Sequence, residues 1–398
     1  MPKSVLPFKK DFVLIIIISL IAVYGLFAIC TAMADPFTRG EQSTAEILDR
    51  LNLEYVGLQL LWYVLGLALV IVTMLFDYQT FGKLHFVIYA ANVLLLGLVL
   101  VLGDTRGGAT SWFVFGDRGL QPSELAKLSL IIFLAKRLSM FENGIQRFRD
   151  LVPILFYFGV PFALIIAQND FGTAMVYVVI LFGMLLLSGM RFRIFLVLVG
   201  VVVLILPVLW FYVLPQFPHA YNRIITFLDP SLDPSGAGYT VAKTRIAIGS
   251  GGLFGKGMFS MGVLSQLNYI PSKHTDFIFA VACEAFGFIG AIALIGLYVL
   301  MILKLLHISS VAYDPFGSYL VTGIVCMFLA HIVENIGMNV GLMPITGIPL
   351  PFFSYGGSSM WTNMIAIGVA MNVSWRRNMG PVEVKMVEFT PQSGVSIK

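Results

Sequence analysis

Apolar runs long enough to cross a lipid bilayer recur along the chain, separated mostly by short polar connections. They fall at 12–33, 56–76, 86–102, 125–138, 151–168, 174–189, 194–214, 277–303, 317–340 and 360–374. About 20 residues, each rising about 1.5 Å, span the hydrocarbon core, so the pattern predicts transmembrane helices at all ten. The signal is weakest at 125–138, which Lys127 interrupts, and at 174–189, which the turn-like Asn169-Asp170-Phe171-Gly172-Thr173 precedes. One connection differs in kind. Pro215 to Asp276 is long, polar and glycine-rich, lies between the seventh and eighth runs, and ends in Lys273-His274-Thr275-Asp276-Phe277. The expected fold is an all-α integral membrane protein of about ten transmembrane helices with one large extracytoplasmic loop between helices 7 and 8.

Composition agrees. With 58% hydrophobic and 12% charged residues in 398, the chain is far from the balance of a soluble domain. We expect a single polytopic domain over 1–380 and a cytoplasmic tail over 381–398. Ala32-Met33-Ala34 before Asp35 could pass for a cleavage site. The preceding apolar run, however, exceeds the roughly 7–15 residues of a signal peptide, so it is read as a retained first helix. Cys30, Cys283 and Cys326 all fall inside apolar runs, where thiols behave as small hydrophobes, and no metal-ligand spacing or disulfide framework is visible.

Lysine and arginine placement sets the expected orientation. With a cytoplasmic N-terminus, the inside segments hold Lys9, Lys10, Lys136, Arg137, Arg191, Arg193, Arg376 and Arg377 among others. The short outside segments hold only Arg39, Arg50, Arg106 and Arg118. The positive-inside rule then puts both termini in the cytoplasm and the long loop, Asp276 included, on the extracytoplasmic side of the inner membrane.

The loop does not read as a disordered linker, because 246–257 mixes apolar residues with glycines that permit tight turns and close backbone approach. Asp229-Pro230 and Asp233-Pro234 repeat a turn signal. A carboxylate where an aqueous loop enters a membrane helix is costly to desolvate, and Asp276 has two readings. It does chemistry at the membrane surface, or it caps helix 8, as Thr275 also could. Glu124 and Lys127, spaced as neighbours on one helix face, read as a structural ion pair. Glu284 lies eight residues after Asp276, about two helical turns, so it could line the same groove deeper in the membrane or bond a neighbouring helix. Asp170 acts on a substrate or holds its Asn-Asp turn. His331, Glu334 and Asn335 share a face of helix 9 and, with Asn339, read as interhelical glue.

Several blocks together resemble the SEDS family of cell-wall polymerases. They are Arg106-Gly107-Gly108-Ala109-Thr110-Ser111-Trp112, then Gln121-Pro122-Ser123-Glu124-Leu125-Ala126-Lys127-Leu128, then Gln168-Asn169-Asp170-Phe171-Gly172-Thr173. The glycine-rich segment ending in His274-Thr275-Asp276-Phe277 follows, then Asn335-Ile336-Gly337-Met338-Asn339, and a final block from Leu342 to Ser359. That final block is more similar to the family's elongation member than to its division member.

The resemblance implies a peptidoglycan glycosyltransferase that polymerises lipid II on the outer face of the membrane, with a class B penicillin-binding protein as partner and no nucleic acid. The family's essential aspartate maps onto Asp276, which would serve as general base. Arg106, Arg223, Lys243, Arg245, Lys256 and Lys273 become candidates for neutralising the leaving pyrophosphate, or are ordinary charges facing solvent and membrane lipids. A divalent cation is a further candidate for that task. Trp112 corresponds to a tryptophan near the family's active cavity, and the family retains Glu124 and Lys127. The chain departs from the family at Asn169, where proline is usual, at Ile270-Pro271-Ser272 in place of Leu-Pro-Glu, and at Ala285, where a second glutamate often follows. A lipid II flippase, a division-type polymerase and a non-enzymatic scaffold stay open as alternatives.

Overall fold

The computed structural model describes residues 8–36, 50–116, 118–142, 144–258, 260, 263–267 and 269–377. Every predicted apolar segment is helical. In chain order the helices are α1 (Phe8–Met33), α2 (Leu53–Leu75), the short α3 (Tyr78–Lys83), α4 (His85–Leu102), α5 (Pro122–Leu138), α6 (Phe148–Ala167), α7 (Phe171–Leu187) and α8 (Phe192–Val208). Then come α9 (Pro218–Leu228) and α10 (Ala237–Ser250) in the long loop, followed by α11 (Ile278–Ser310), α12 (Pro315–Val340) and α13 (Gly357–Arg376).

Seven of these helices are long and apolar enough to cross a membrane on length and composition: α1, α2, α4, α6, α8, α11 and α12. The other three predicted spans, α5, α7 and α13, are shorter or more polar because of where they sit. α5 and α13 are buried along most of their length, and α5 and α7 both pack on α12. A helix that faces other helices rather than lipid can carry polar side chains that bond across the bundle. α12 is the central element, in contact with α5, α7, α10, α11 and α13, while α13 lies along α2 and α1 along α11. α8 is the opposite case, with Leu196, Val203, Leu204 and Leu206 among many apolar side chains turned outward. That is the surface expected of a helix facing lipid.

Between α4 and α5 the chain forms a small antiparallel sheet that the helix pattern did not predict: β1 (Asp104–Arg106), β2 (Ala109–Phe115) and β3 (Arg118–Leu120), in that order. Gly107 and Gly108 make the β1–β2 turn with φ of +59° and +87°, the left-handed conformation a two-residue hairpin requires.

The described residues of the long connection are partly helical. Asp229 accepts from the backbone and hydroxyl of Ser231, and Asp233 from the amides of Gly236 and Ala237, so the two Asp-Pro turns lead into α10. α10 packs on α11. The glycine-rich segment after it repairs a break in α11. At Gly287 the backbone leaves the helix (φ 68°, ψ −165°), which frees main-chain groups inside an apolar segment. Residues 252–257 supply the missing partners. Lys256 N and Gly257 N donate to the carbonyls of Glu284 and Ala285 at 2.9 and 3.0 Å, while Phe288 N and Ile289 N donate to Gly252 and Leu253 at 2.9 and 3.1 Å. Backbones this close exclude side chains. A Cβ on Gly251 would lie 2.1 Å from the Cys283 carbonyl oxygen, and one on Gly255 would lie 2.2 Å from that of Ala285.

Candidate active site

Asp276 sits in the turn between the long loop and α11. Ser272, in the left-handed region at φ 49°, starts that turn by accepting from the amides of Thr275 and Phe277 at 3.1 and 3.3 Å. The N-cap position of α11 falls to Phe277, and no side chain caps the helix. The capping role open to Thr275 and Asp276 is therefore unfilled, and the Thr275 hydroxyl donates instead to the Ser272 carbonyl at 3.2 Å.

The turn is held from three directions. From α12, Asn335 and Asn339 both donate to the Asp276 carbonyl, at 2.9 and 3.0 Å. From the segment before α13, Ser354 Oγ donates to the Thr275 carbonyl at 2.7 Å and Tyr355 N to that of His274 at 2.9 Å. From α2, Gln59 Nε2 donates to the Ser354 carbonyl at 3.1 Å, and the Tyr55 ring meets those of His274 and Tyr355 edge-on.

The Asp276 carboxylate faces Gly347, where a Cβ would stand 3.7 Å from Oδ2, so this wall of the site is bare backbone that is open to solvent. Asp276 as a residue is partly exposed, but desolvation of its carboxylate pushes the pKa up to about 6, against the opposing effects of the Thr275 side chain and Arg223. Next to it, burial and the neighbouring Lys273 lower the His274 pKa, which favours a neutral ring.

The candidate cations divide by what holds them. Arg223, on α9, donates to the Gly107 carbonyl at 2.9 Å and is close enough to Asp276 to act on its charge. Lys273 is buried and donates to the Ser265 carbonyl at 2.7 Å; burial lowers its pKa and Asp35 opposes that. Lys243 lies over the rings of Tyr239 and Tyr269, 5.2 Å from each centroid. Arg245 donates to the Gly341 carbonyl at 3.0 Å, at the C-terminal end of α12.

Lys256 pairs with Glu284 at 3.0 Å. Glu284 is fully buried and also accepts from the amides of Leu264 and Ser265 at 2.8 and 3.1 Å, so it braces the loop. The helical spacing expected between Asp276 and Glu284 does not hold, because α11 starts only at Ile278.

The remaining candidates lie elsewhere. Arg106 ends β1, and Trp112, partly buried on β2, pairs with Asp104. Asp170 caps α7 and accepts from Thr173 N (3.1 Å), Thr173 Oγ1 (2.9 Å), Gln121 Nε2 (3.0 Å) and Ser123 Oγ (3.2 Å). It thereby ties the entry of α5 to that of α7. Glu124 and Lys127 form a buried ion pair at 2.6 Å, and Lys127 Nζ also meets His331 Nε2 at 2.8 Å. Among the described residues, no group of three or more His, Cys, Asp or Glu side chains could hold a metal ion.

The sequence marks Asn335 and Asn339 as glue between helices but not their hold on Asp276, and it gives no sign of Gln121 and Ser123 on Asp170. Each pair does stand in a quoted motif with its partner's segment elsewhere, and only the fold joins them.

Bundle and broken helix together define a multi-pass membrane protein, with the partly exposed Asp276 in a turn at the loop end of the bundle. The chain belongs to the FtsW/RodA/SpoVE family of cell cycle proteins, whose model matches residues 11–379. It is 33% identical over 413 residues to the peptidoglycan glycosyltransferase RodA of Treponema pallidum, covering 86% of this chain and 93% of that protein. It is 34% identical over 324 residues to a probable peptidoglycan glycosyltransferase FtsW of Geobacter metallireducens, covering 81% and 85%. A solved structure described as the structural coordination of polymerization and crosslinking by a peptidoglycan synthase complex superposes with a TM-score of 0.75 at 28% identity, over 93% of this chain and 99% of that one.

Proposed function

We propose that this chain is a peptidoglycan glycosyltransferase that polymerises lipid II, with Asp276 as its general base. Relatives named for that activity cover most of its length. The observation that carries the reading is the state of Asp276: a carboxylate that does not cap the adjoining helix, whose pKa is raised to about 6, beside an accessible backbone wall. A base works best when its pKa lies near the working pH.

In the reaction, Asp276 takes the proton of an acceptor sugar hydroxyl as the hydroxyl oxygen bonds to the anomeric carbon of the donor. The bond from that carbon to the phosphate oxygen breaks, and the lipid pyrophosphate leaves with the electron pair. A pyrophosphate leaves without strong protonation, so one carboxylate suffices. The growing charge on the leaving pyrophosphate calls for cations in place beforehand, and the candidates are Arg223, whose charge acts on Asp276, and Lys273 on the same turn. Lys256 brings less, because Glu284 already offsets its charge. Trp112, Lys243, Arg245 and Arg106 are proposed to meet the substrate away from the base, while Asp170, by tying α5 to α7, and Glu124 with Lys127 hold the bundle.

The charge bias of the short loops supports a site on the outer face of the cytoplasmic membrane, where the lipid II headgroup is presented. The final block from Leu342 to Ser359 favours the elongation role over division. The likeness to a synthase complex supports a class B penicillin-binding protein as partner.

The test is reconstitution of the purified protein with labelled lipid II. Wild type makes glycan chains, and Asp276→Asn at equal expression makes none. Undiminished chains in the variant overturn the assignment of the base, and transfer of lipid II across the bilayer without any polymer overturns the polymerase.

A further inference from the structure

One side chain does the work of a peptide group at the start of α11. In an unbroken helix the carbonyl of residue 276 would accept from the amide of residue 280. Here the carboxamide of Asn339 stands between them. Its Oδ1 accepts from Ala280 N at 3.2 Å, and its Nδ2 donates to the Asp276 carbonyl at 3.0 Å. Asn335, one turn earlier on α12, donates to the same carbonyl at 2.9 Å and to the Ile348 carbonyl at 2.8 Å. Both asparagines are fully buried, and Asn339 Nδ2 also reaches Asn335 O at 2.9 Å, which fixes the orientation of its amide.

We infer that Asn339, supported by Asn335, is a positioning residue that holds Asp276 outside α11 so that its carboxylate projects toward Gly347 instead of capping the helix. The inference rests on the reading of Asp276 as the base and deepens it. With the inserted amide gone, Ala280 N can exchange its 3.1 Å bond to the Phe277 carbonyl for one to the Asp276 carbonyl, which Asn335 alone still holds at 2.9 Å, and the helix extends toward Asp276. Asp276 then arrives where an aspartate accepts from the free amides of the first turn. Those amides and the helix dipole stabilise the charged form, so the carboxylate becomes a weaker base as well as a displaced one. Asn335 adds a second constraint, since its bond to Ile348 ties the segment carrying Gly347 to the same carbonyl.

The experiment compares Asn339→Ala, Asn335→Ala and Asp276→Asn with wild type in the same reconstituted preparation. It measures kcat, KM for lipid II, the pH profile of kcat/KM and thermal melting. For Asn339→Ala the expected result is a fall in kcat of about 10²-fold, the scale of a misplacement near 1 Å, with KM little changed. The acid limb of kcat/KM moves to lower pH than in wild type. A residue that merely supported the fold would lower the melting temperature and leave that limb in place. If Asn339→Ala does not fold, Asn335→Ala decides the matter, because it removes one of the two donors and leaves the inserted amide. It should show a smaller fall in kcat and a shift of the limb in the same direction. Wild-type kcat with an unmoved acid limb in the folded variant overturns the inference. If Asp276→Asn is inactive in that preparation, the base assignment survives; if Asp276→Asn is active, both fall together.

Discussion

Replacing Asp276 by Asn separates the two roles open to a carboxylate at this junction, because they predict opposite effects on stability. Desolvation raises the Asp276 pKa from 3.8 to about 6, so the folded protein prefers the protonated form. Below about pH 4 the carboxyl is neutral folded or unfolded, and its contribution to stability is fully present. As pH rises through 6 the folded protein must ionise a partly desolvated group, and that contribution is lost. A rise from 3.8 to about 6 corresponds to about 3 kcal/mol. Asparagine has the same shape and never ionises.

Asp276→Asn should therefore match wild type in stability near about pH 4 and exceed it by up to about 3 kcal/mol above about pH 7, while polymerisation of lipid II is lost. The assay is thermal melting of both proteins in one detergent across that pH range, beside glycan synthesis from labelled lipid II. The comparison uses apparent melting temperatures, since membrane proteins often unfold irreversibly. A variant less stable than wild type at neutral pH would mean that the ionised carboxylate holds the fold together. A variant that still makes polymer would mean that the proton goes elsewhere. Either result refutes the reasoning.

Three further outcomes follow from the same structure. Polymerisation by wild type should fall about tenfold per pH unit below the Asp276 pKa of about 6, since only the ionised carboxylate accepts a proton; an acid limb near 4 in the kcat/KM profile would contradict the desolvation seen at this site. Gly251→Ala puts a methyl group 2.1 Å from the Cys283 carbonyl and should destabilise by about 1–3 kcal/mol, read as a lower melting temperature together with faster proteolysis of the loop; Gly249→Ala, whose Cβ meets nothing, is the control. Lys127→Met leaves Glu124 buried without its cation and should cost about 3–5 kcal/mol, whereas Lys127→Met with Glu124→Leu should recover most of that, measured by expression level and melting.

The helices could be read from sequence because a span written for lipid is apolar by necessity, and even α5 and α13 kept enough of that signal. Other elements were hidden for physical reasons. α10 buries Gly238, Thr240, Val241, Thr244 and Ala247, a face of small side chains suited to close approach, so no stripe of large apolar residues marks it. The Gly107-Gly108 hairpin did carry a signal, two glycines between short polar-apolar runs, but three-residue strands give too little alternation to stand out beside long helices. The break at Gly287 could not be seen at all. Gly290 and Gly296 lie in the same apolar run and stay helical, and what distinguishes Gly287 is the loop backbone that takes up the freed bonds.

The same distinction governs Asp276. Its local sequence, a hydroxyl and a carboxylate before an apolar run, is that of a helix cap, and nothing within a few residues separates cap from base. What separates them is Asn339, 63 positions further on, whose amide occupies the bond that would have drawn Asp276 into the helix. On the proposed reading of Asp276 as the base, its place at this junction is set by two helices and not by one motif. A substitution at Asn339 should then convert the proposed base into a helix cap without touching the carboxylate itself.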